Sequence, residues 1–147
     1  MFFDDQPLKL GTITAQNGNI TIDTIGHLQT FGVISAPAGS ITVPPGTILL
    51  AAHSPMTIGA PVTAGGNITL LAGDTAGAGD DLIINAPVTS TGTGNIKLIA
   101  GDNLMQNANV TSNGGTIGAT AETGNIVMSA NAVSSSSGGT ITYFAPA

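Results

Sequence analysis

The chain repeats one pattern of apolar and polar positions. A corner of Gly, Asn or Ser is followed by alternating residues of which the first is isoleucine, as in residues 66–70 (Gly-Asn-Ile-Thr-Leu) and 94–98 (Gly-Asn-Ile-Lys-Leu). Alternation over a few residues indicates a short strand with one buried face. The opening isoleucine recurs every 21 to 28 residues, at Ile20, Ile41, Ile68, Ile96, Ile117 and Ile141.

Two further apolar positions recur in every repeat, so each repeat contains three short strands. A β-branched residue precedes each opening isoleucine by six to eight residues. These residues are Ile13, Ile34, Val62, Val88, Val110 and Val133. A third apolar residue begins each repeat, at Leu8, Leu28, Met56, Leu82, Leu104 and Ile126.

Three strands per repeat of about 22 residues predict an all-β fold, a right-handed parallel β-helix (β-solenoid) of about six coils of 20–28 residues. Six coils at roughly 4.8 Å each give a rod of about 29 Å. We assign residues 1–7 to an N-terminal edge segment and 8–147 to the repeat domain. An antiparallel sandwich also has regularly spaced short strands, but it does not explain why whole repeats recur.

Two details of this prediction depend on local sequence. Gly124-Asn125-Ile126 also fits the opening pattern, and we keep Ile117 as the fifth opening because the alternative needs a coil of 30 residues. Period-2 alternation points Ile96 and Leu98 inward and Lys97 outward. Glycines fit the corners because they adopt positive φ without steric cost.

Composition excludes several classes of protein. Eight acids against two lysines, with no arginine, give a net charge of −6, so the basic footprint of a nucleic-acid binder is missing. The absence of cysteine excludes disulfides and thiolate metal sites. No apolar run is long enough for a membrane helix, and the acidic start has no signal-peptide features. We therefore expect a segment of a longer exported chain or a chain whose export signal has been removed.

The repeats at 94–104 (Gly-Asn-Ile-Lys-Leu-Ile-Ala-Gly-Asp-Asn-Leu) and 109–117 (Asn-Val-Thr-Ser-Asn-Gly-Gly-Thr-Ile) resemble those of filamentous haemagglutinin-like exoproteins, the passengers of bacterial two-partner secretion. The resemblance covers most of residues 8–147. It implies a secreted rod at the bacterial cell surface that serves adhesion or surface structure. The chain lacks that family's Asn-Pro-Asn secretion domain and is far shorter, which also allows a self-assembling subunit.

One loop resembles a calcium motif. Residues 76–83 (Ala-Gly-Ala-Gly-Asp-Asp-Leu-Ile) match the calcium-binding nonapeptide except at its first glycine. Asp74, Asp80 and Asp81 share this loop, and carboxylates are ligands for a hard cation. Because the motif occurs once and its ion lies between successive repeats, we expect a solvated acidic turn and no cofactor. Calcium stays open as the alternative.

Catalysis is not expected. The acids lie mostly at corners and have no basic partner with which to bind substrate and move protons. His27 and His53 are interpreted as corner or surface residues. An ice-binding solenoid needs an unbroken outward row of threonines, and Asn19 and Lys97 interrupt the row that Thr12/Thr14 and Thr140/Thr142 begin.

The second and third coils carry extra length. We place it at residues 44–55 and 73–81, between the third strand and the next repeat. Insertions in repeat proteins often form the binding face, so an adhesin module that binds a surface or a carbohydrate at these corners is the alternative function. Residues 48–50 (Ile48, Leu49, Leu50) are apolar where a loop should be polar. They pack either on their own coil or, with Leu71 and Ile99, as a lateral patch against a neighbouring subunit.

The two ends of the rod are expected to be adhesive. Four of the five aromatic residues lie there, and terminal coils expose unpaired strand edges. A contact between unlike ends propagates into a filament. The predicted interface consists of Phe2, Phe3, Ile141, Tyr143 and Phe144. The leading hypothesis is an extracellular structural protein that stacks on copies of itself or forms part of a long adhesin rod, with a cell-surface glycan or protein as a further partner. It inserts into no membrane.

Overall fold

The computed structural model describes residues 7–37, 45–73 and 79–146. Over these residues it contains eighteen short strands in three parallel sheets, and no helix. Accordingly, none of the described segments forms a helix of the length and apolarity needed to cross a bilayer.

The chain visits the three sheets in turn. The first sheet contains β1 (Leu8–Leu10), β4 (Leu28–Thr30), β7 (Met56–Ile58), β10 (Leu82–Ile84), β13 (Leu104–Gln106) and β16 (Ile126–Met128). The second contains β2 (Ile13–Thr14), β5 (Ile34–Ala36), β8 (Val62–Ala64), β11 (Val88–Ser90), β14 (Val110–Ser112) and β17 (Ser134–Ser136). The third contains β3 (Ile20–Thr24), β6 (Ile48–Ala52), β9 (Ile68–Ala72), β12 (Ile96–Ala100), β15 (Ile117–Ala121) and β18 (Ile141–Phe144).

The predicted parallel β-solenoid is confirmed. Three consecutive strands, one from each sheet, make one layer, from the first layer (β1–β3) to the last layer (β16–β18). The solenoid makes about five turns, slightly fewer than the six coils predicted. Its right-handed sense stays a prediction.

The predicted register is confirmed over most of the chain. Leu82 pairs with Met56 on one side and Leu104 on the other, as equivalent first positions of their repeats should. Ile117 lies between Ile96 and Ile141 in the third sheet, so it is the fifth opening isoleucine. Ile126 belongs to the first sheet.

Two predicted positions are wrong. The residue that pairs with Ile20 is Ile48, so the third strand of the second layer is β6 and not the segment around Ile41. Ile41 itself lies outside the described residues. In the second sheet Val110 pairs with Ser134, while the predicted Val133 is 54% exposed beside it. Val133 lies directly before β17, where a β-branched residue has the same character as one that opens a strand.

The core is a set of columns that run along the rod. Ile68 and Leu70 in β9, and the equivalent residues Ile96 and Leu98 in β12, are fully buried, whereas the residues between them point outward. Burial of each such side chain contributes about 1.5–3 kcal/mol. Each inward side chain therefore packs on the equivalent residues of the neighbouring layers.

Glycines at the corner before the third sheet are required for space. A Cβ on Gly94 or Gly115 would collide with the backbone of the glycine one layer earlier. Neither residue has positive φ, which among the described glycines occurs at Gly73, Gly79 and Gly114. The conformational reason expected from the sequence is therefore wrong at this corner, where close approach of successive layers is the cause.

Asparagine side chains form hydrogen bonds between the corners of successive layers. The Oδ1 of Asn67 accepts the backbone N–H of Asn95 at 2.8 Å, and the Oδ1 of Asn95 accepts that of Thr116 at 2.8 Å. Asn103 and Asn109 do the same for Asn125 and Val133 at the other two corners. Each asparagine therefore satisfies a donor in the layer that follows it.

Candidate functional site

The last layer has one open edge in each sheet. β16, β17 and β18 each pair with one strand of the preceding layer and stand at the end of their sheet. No further described strand pairs with their outer edges. Three strand edges therefore end on one surface of the rod, which we call the open layer surface.

The hydrogen-bonding groups of this surface follow from those of the layer below. The N–H groups of Leu104, Val110 and Ile117 each donate to a backbone carbonyl of the last layer at 2.9 Å. The equivalent N–H groups of the last layer have no acceptor among the described residues. They belong to Ile126, Ser134 and Ile141. A further strand in register would satisfy all three at once.

Apolar side chains accompany these groups. Ile141 is 39% exposed and Met128 is 41% exposed, although both occupy inward positions. Val127 and Phe144 are more than half exposed on the outward side. The equivalent inward isoleucine two layers earlier, Ile96, is 1% exposed. The open layer surface therefore combines unsatisfied backbone groups with uncovered core residues, as expected for a surface that another coil covers.

Tyr143, one of the predicted interface residues, forms hydrogen bonds within the chain. It occupies an inward position above the small Ala119, and its hydroxyl donates to Oε1 of Gln106, which is fully buried. The hydroxyl of Ser134 also contacts the phenol oxygen, and Nε2 of Gln106 donates to Ser134 at 3.0 Å. This internal polar network lies directly beneath the open layer surface.

Burial changes the acidity of the phenol. It raises the pKa of Tyr143 above its ordinary value of 10.0, while the hydrogen bonds to Ser134 and Gln106 oppose the rise without cancelling it. The phenol is therefore neutral at physiological pH, and the network contains no charge.

Two of the other predicted interface residues lie in β18, and two are not described. Phe2 and Phe3 are outside the described residues. Phe144 lies on the outward side of β18 and Ile141 on its inward side. The structure thus brings Ile141, Tyr143 and Phe144 to one end of the rod.

The lateral patch is only partly where the sequence placed it. Ile48 and Leu50 are buried in β6, so they belong to the core and not to a side surface. Leu49 alone of these three is exposed, at 37%. Leu71 and Ile99 are direct cross-strand neighbours on the outer face of the third sheet and are partly exposed, as predicted.

The corner insertion at 44–55 needs the same correction. Residues 48–52 are the third strand of the second layer, so extra length falls before that strand instead of after it. In the segment 73–81, residues 74–78 lie outside the described part. The predicted binding role of these corners stays a prediction.

The acids of the predicted calcium loop take part in corner hydrogen bonds. Oδ1 of Asp81 accepts both the backbone N–H and the side-chain amide of Asn103 at 3.0 Å. Oδ2 of Asp102 accepts the N–H of Gly79 at 2.9 Å. Asp74 lies outside the described residues, and within them Asp80 and Asp81 join no group of three metal-ligating side chains. The calcium alternative stays untested.

The pair formed by His53 and Asp23 is exposed. Nε2 of His53 lies 3.1 Å from Oδ1 of Asp23, with both side chains largely open to solvent. Such a pair contributes little to stability. The expectation that the chain is not an enzyme stays a prediction.

An unbroken row of hydroxyls, missed from the sequence, runs along the second sheet. Its six outward side chains stand in register, one in each layer. They are Thr14, Ser35, Thr63, Thr89, Thr111 and Ser135. None of these hydroxyls has a hydrogen-bond partner among the described residues, and no strand of this sheet contains a charged residue. Of the threonines considered from the sequence, Thr14 belongs to this row, whereas Thr142 lies in the third sheet.

The described residues form a parallel β-solenoid whose last layer has one strand edge unpaired in each sheet. Comparison of the chain with protein-family models, with curated proteins and with solved structures finds no match.

Proposed function

We propose that the chain is a structural unit of an extracellular bacterial rod. Its last layer is extended by a further coil, either from a stacked copy or as part of a longer adhesin of the same kind. The observation that carries this proposal is the open layer surface, where the N–H groups of Ile126, Ser134 and Ile141 lie beside uncovered apolar side chains.

The composition supports a structural role. Only 7% of residues are charged, and the described acids serve corners instead of converging on a pocket. The resemblance of the repeats to filamentous haemagglutinin-like exoproteins supports the bacterial surface as the location. A rod that holds an adhesive part away from a cell needs length and stiffness, which stacked layers provide.

Electron microscopy and light scattering of the purified chain test this proposal. We expect particles that lengthen with protein concentration, with a repeat of about 29 Å for one subunit. Ile141→Lys places a charge on the open layer surface and should abolish or shorten these particles.

Thr142→Lys is the matched control. Thr142 is the next residue of β18, points outward, and stands in the same row as Lys97, so lysine is already accommodated in this row. This variant should assemble like the parent. A parent that stays monomeric at every concentration would contradict the stacking of copies.

A second candidate function rests on the hydroxyl row of the second sheet. We infer that such a row, uncharged and spaced at roughly 4.8 Å, orders water along the rod. An ice surface is the periodic, uncharged partner that fits it. Stacking of copies would lengthen the row, so the two functions are compatible.

Freezing measurements test the second candidate. Ice growth in the presence of the parent should slow, and Thr89→Tyr, in the middle of the row, should remove the effect. Thr69→Tyr, on the outer face of the third sheet, is the control and should behave like the parent. Equal ice growth with parent and buffer would exclude this function.

A further inference from the structure

We propose that the first layer of a second copy covers the last layer in the register that already relates successive layers within the chain. This inference rests on the proposed function and names its partner and geometry. In the second sheet Thr14 of the incoming copy would pair with Ser135. In the third sheet Thr21 would pair with Thr142.

The backbone groups of the two surfaces are complementary. Within the chain, Leu28 donates to the carbonyl of Pro55 at 3.2 Å, and Ile20 donates to that of Thr47 at 2.9 Å. Pro7, Thr12 and Asn19 hold the equivalent acceptor positions of the first layer, and no described N–H donates to their backbone carbonyls. Three carbonyls on one end that no described N–H reaches therefore match three N–H groups on the other end that reach no described acceptor. Proline is suited to position 7 because the proposed contact requires only the backbone carbonyl of this residue and not an N–H group.

The side-chain columns also continue across this joint. Ile20 would follow Ile141 in the isoleucine column of the third sheet, and Leu8 would follow Ile126 in the first sheet. Leu8 is 40% exposed although its position faces inward, and Ile141 is 39% exposed. Stacking would bury both, Leu8 against Ile126 and Ile141 against Ile20, as the equivalent contacts do in the middle layers. The row of outward hydroxyls would continue from Ser135 to Thr14.

At the described positions of the joint, no like charges face one another. The chain carries a net charge of −6, which disfavours association of copies in general. Residues 126–146, which form the last layer, contain no charged residue. Lys9 and Asp23 of the first layer would therefore meet the uncharged Val127 and Phe144.

Disulfide formation between introduced cysteines tests the register. The chain has no cysteine, so every disulfide formed reports on the introduced pair. The double variant Thr14→Cys with Ser135→Cys, and the double variant Thr21→Cys with Thr142→Cys, place cysteines on neighbouring strands of the joint. Their Cα atoms would be roughly 4.8 Å apart, within the range of a disulfide. Inside one chain the same positions are five layers apart, which is too far to bridge.

Exchanging the partners provides matched controls. Thr14→Cys with Thr142→Cys, and Thr21→Cys with Ser135→Cys, use the same four exposed positions but place each pair on different sheets. Under mild oxidation the two in-register variants should give a ladder of covalent oligomers at least ten times more abundant than the two exchanged variants. Melting curves check that all four fold like the parent.

The outcomes separate the register from the proposed function. Filaments with equal cross-linking of matched and exchanged pairs, or with no cross-linking, would overturn the register and leave rod formation standing. Monomers without cross-links would overturn both the register and the stacking of copies.

Discussion

The middle and last layers of the solenoid are built on one plan but differ in what covers them. In the middle, β7 to β12 have a neighbouring strand on both sides, and inward residues such as Ile68 and Leu98 are fully buried. In the last layer Ile141 occupies the same column as Ile68 and is 39% exposed. Burial in a solenoid is therefore supplied by the next layer, and a layer completes its own core only when another covers it.

Polar residues show the same contrast. In the middle, Ser90 donates to the carbonyl of Gly66 at 2.9 Å and ties two layers together. Toward the last layer the interior itself becomes polar, as Gln106, Ser134 and Tyr143 replace apolar residues of earlier layers. These polar groups form hydrogen bonds with one another. Apolar side chains therefore surround the open layer surface, and an uncharged hydrogen-bond network lies directly beneath it.

The largest expected effect comes from introducing aspartate at two positions of the same core column, one in the middle of the rod and one in the last layer. Ile96→Asp puts an unpaired carboxylate into the apolar core, which should cost several kcal/mol of unfolding free energy. Ile141→Asp, at the open layer surface, should cost much less because water reaches that side chain. Urea unfolding of the two variants checks this. Equal losses would contradict the contrast between middle and last layers.

A smaller effect is expected at the glycine corner. Gly94→Ala would force apart two layers whose backbones touch there, at about 1–3 kcal/mol. The control is Gly118→Ala, at a glycine on the outer face of β15 where an added Cβ meets nothing within 4 Å. It should be neutral or slightly stabilising. If thermal unfolding shows both variants to be equally stable, close approach is not the reason for glycine at this corner.

Several elements of the structure show how much could be predicted from the sequence alone. Alternation and repeat length gave the three sheets, the fifth isoleucine at Ile117 and the adjacency of Leu71 and Ile99, because each depends on periodicity. Ile48 was missed because Ile41 fits the same opening pattern, and Ser134 was missed because the β-branched Val133 directly precedes it. The network of Gln106 with Tyr143 joins residues 37 positions apart, and no periodic pattern connects them. The open layer surface was anticipated from its aromatics, although only the structure identifies which N–H groups it leaves without acceptors.

The hydrogen bonds among Gln106, Ser134 and Tyr143 should add about 1 kcal/mol to the unfolding free energy. Tyr143→Phe removes the hydroxyl that donates to Gln106 and should lower the unfolding free energy by that amount. The chain has one tyrosine and no tryptophan, so tyrosine fluorescence in the parent reports on the last layer alone. An unchanged unfolding free energy in the variant would show that the network does not stabilise this layer.

The same residue sets a dependence on alkaline pH. The pKa of Tyr143 is raised in the folded chain, so above pH 10 the unfolded chain loses this proton first and stability falls as pH rises toward the folded pKa. Below pH 10 the phenol is protonated in both states and its contribution is constant. Between about pH 9 and pH 11, the range around the ordinary pKa of tyrosine, the parent should lose more unfolding free energy than the Tyr143→Phe variant. Parallel losses would contradict the raised pKa.

The smallest effect on stability is expected at the side of the rod. Leu71→Ser combined with Ile99→Ser removes two partly exposed neighbours, so unfolding should change little while side-by-side bundling of rods decreases. Thr120→Ser, the next residue in the same row, is the control. Light scattering that shows unchanged bundling in the double variant would leave the lateral patch without a role.

Amide hydrogen exchange, followed as a function of protein concentration, tests the account most directly. At low concentration the N–H groups of Ile126, Ser134 and Ile141 should exchange rapidly, whereas those of Leu104, Val110 and Ile117 one layer below should be protected. At high concentration the three last-layer groups should become protected as another layer covers them. Protection that is strong at low concentration, or that never changes with concentration, would contradict the claim that the last layer receives a further coil.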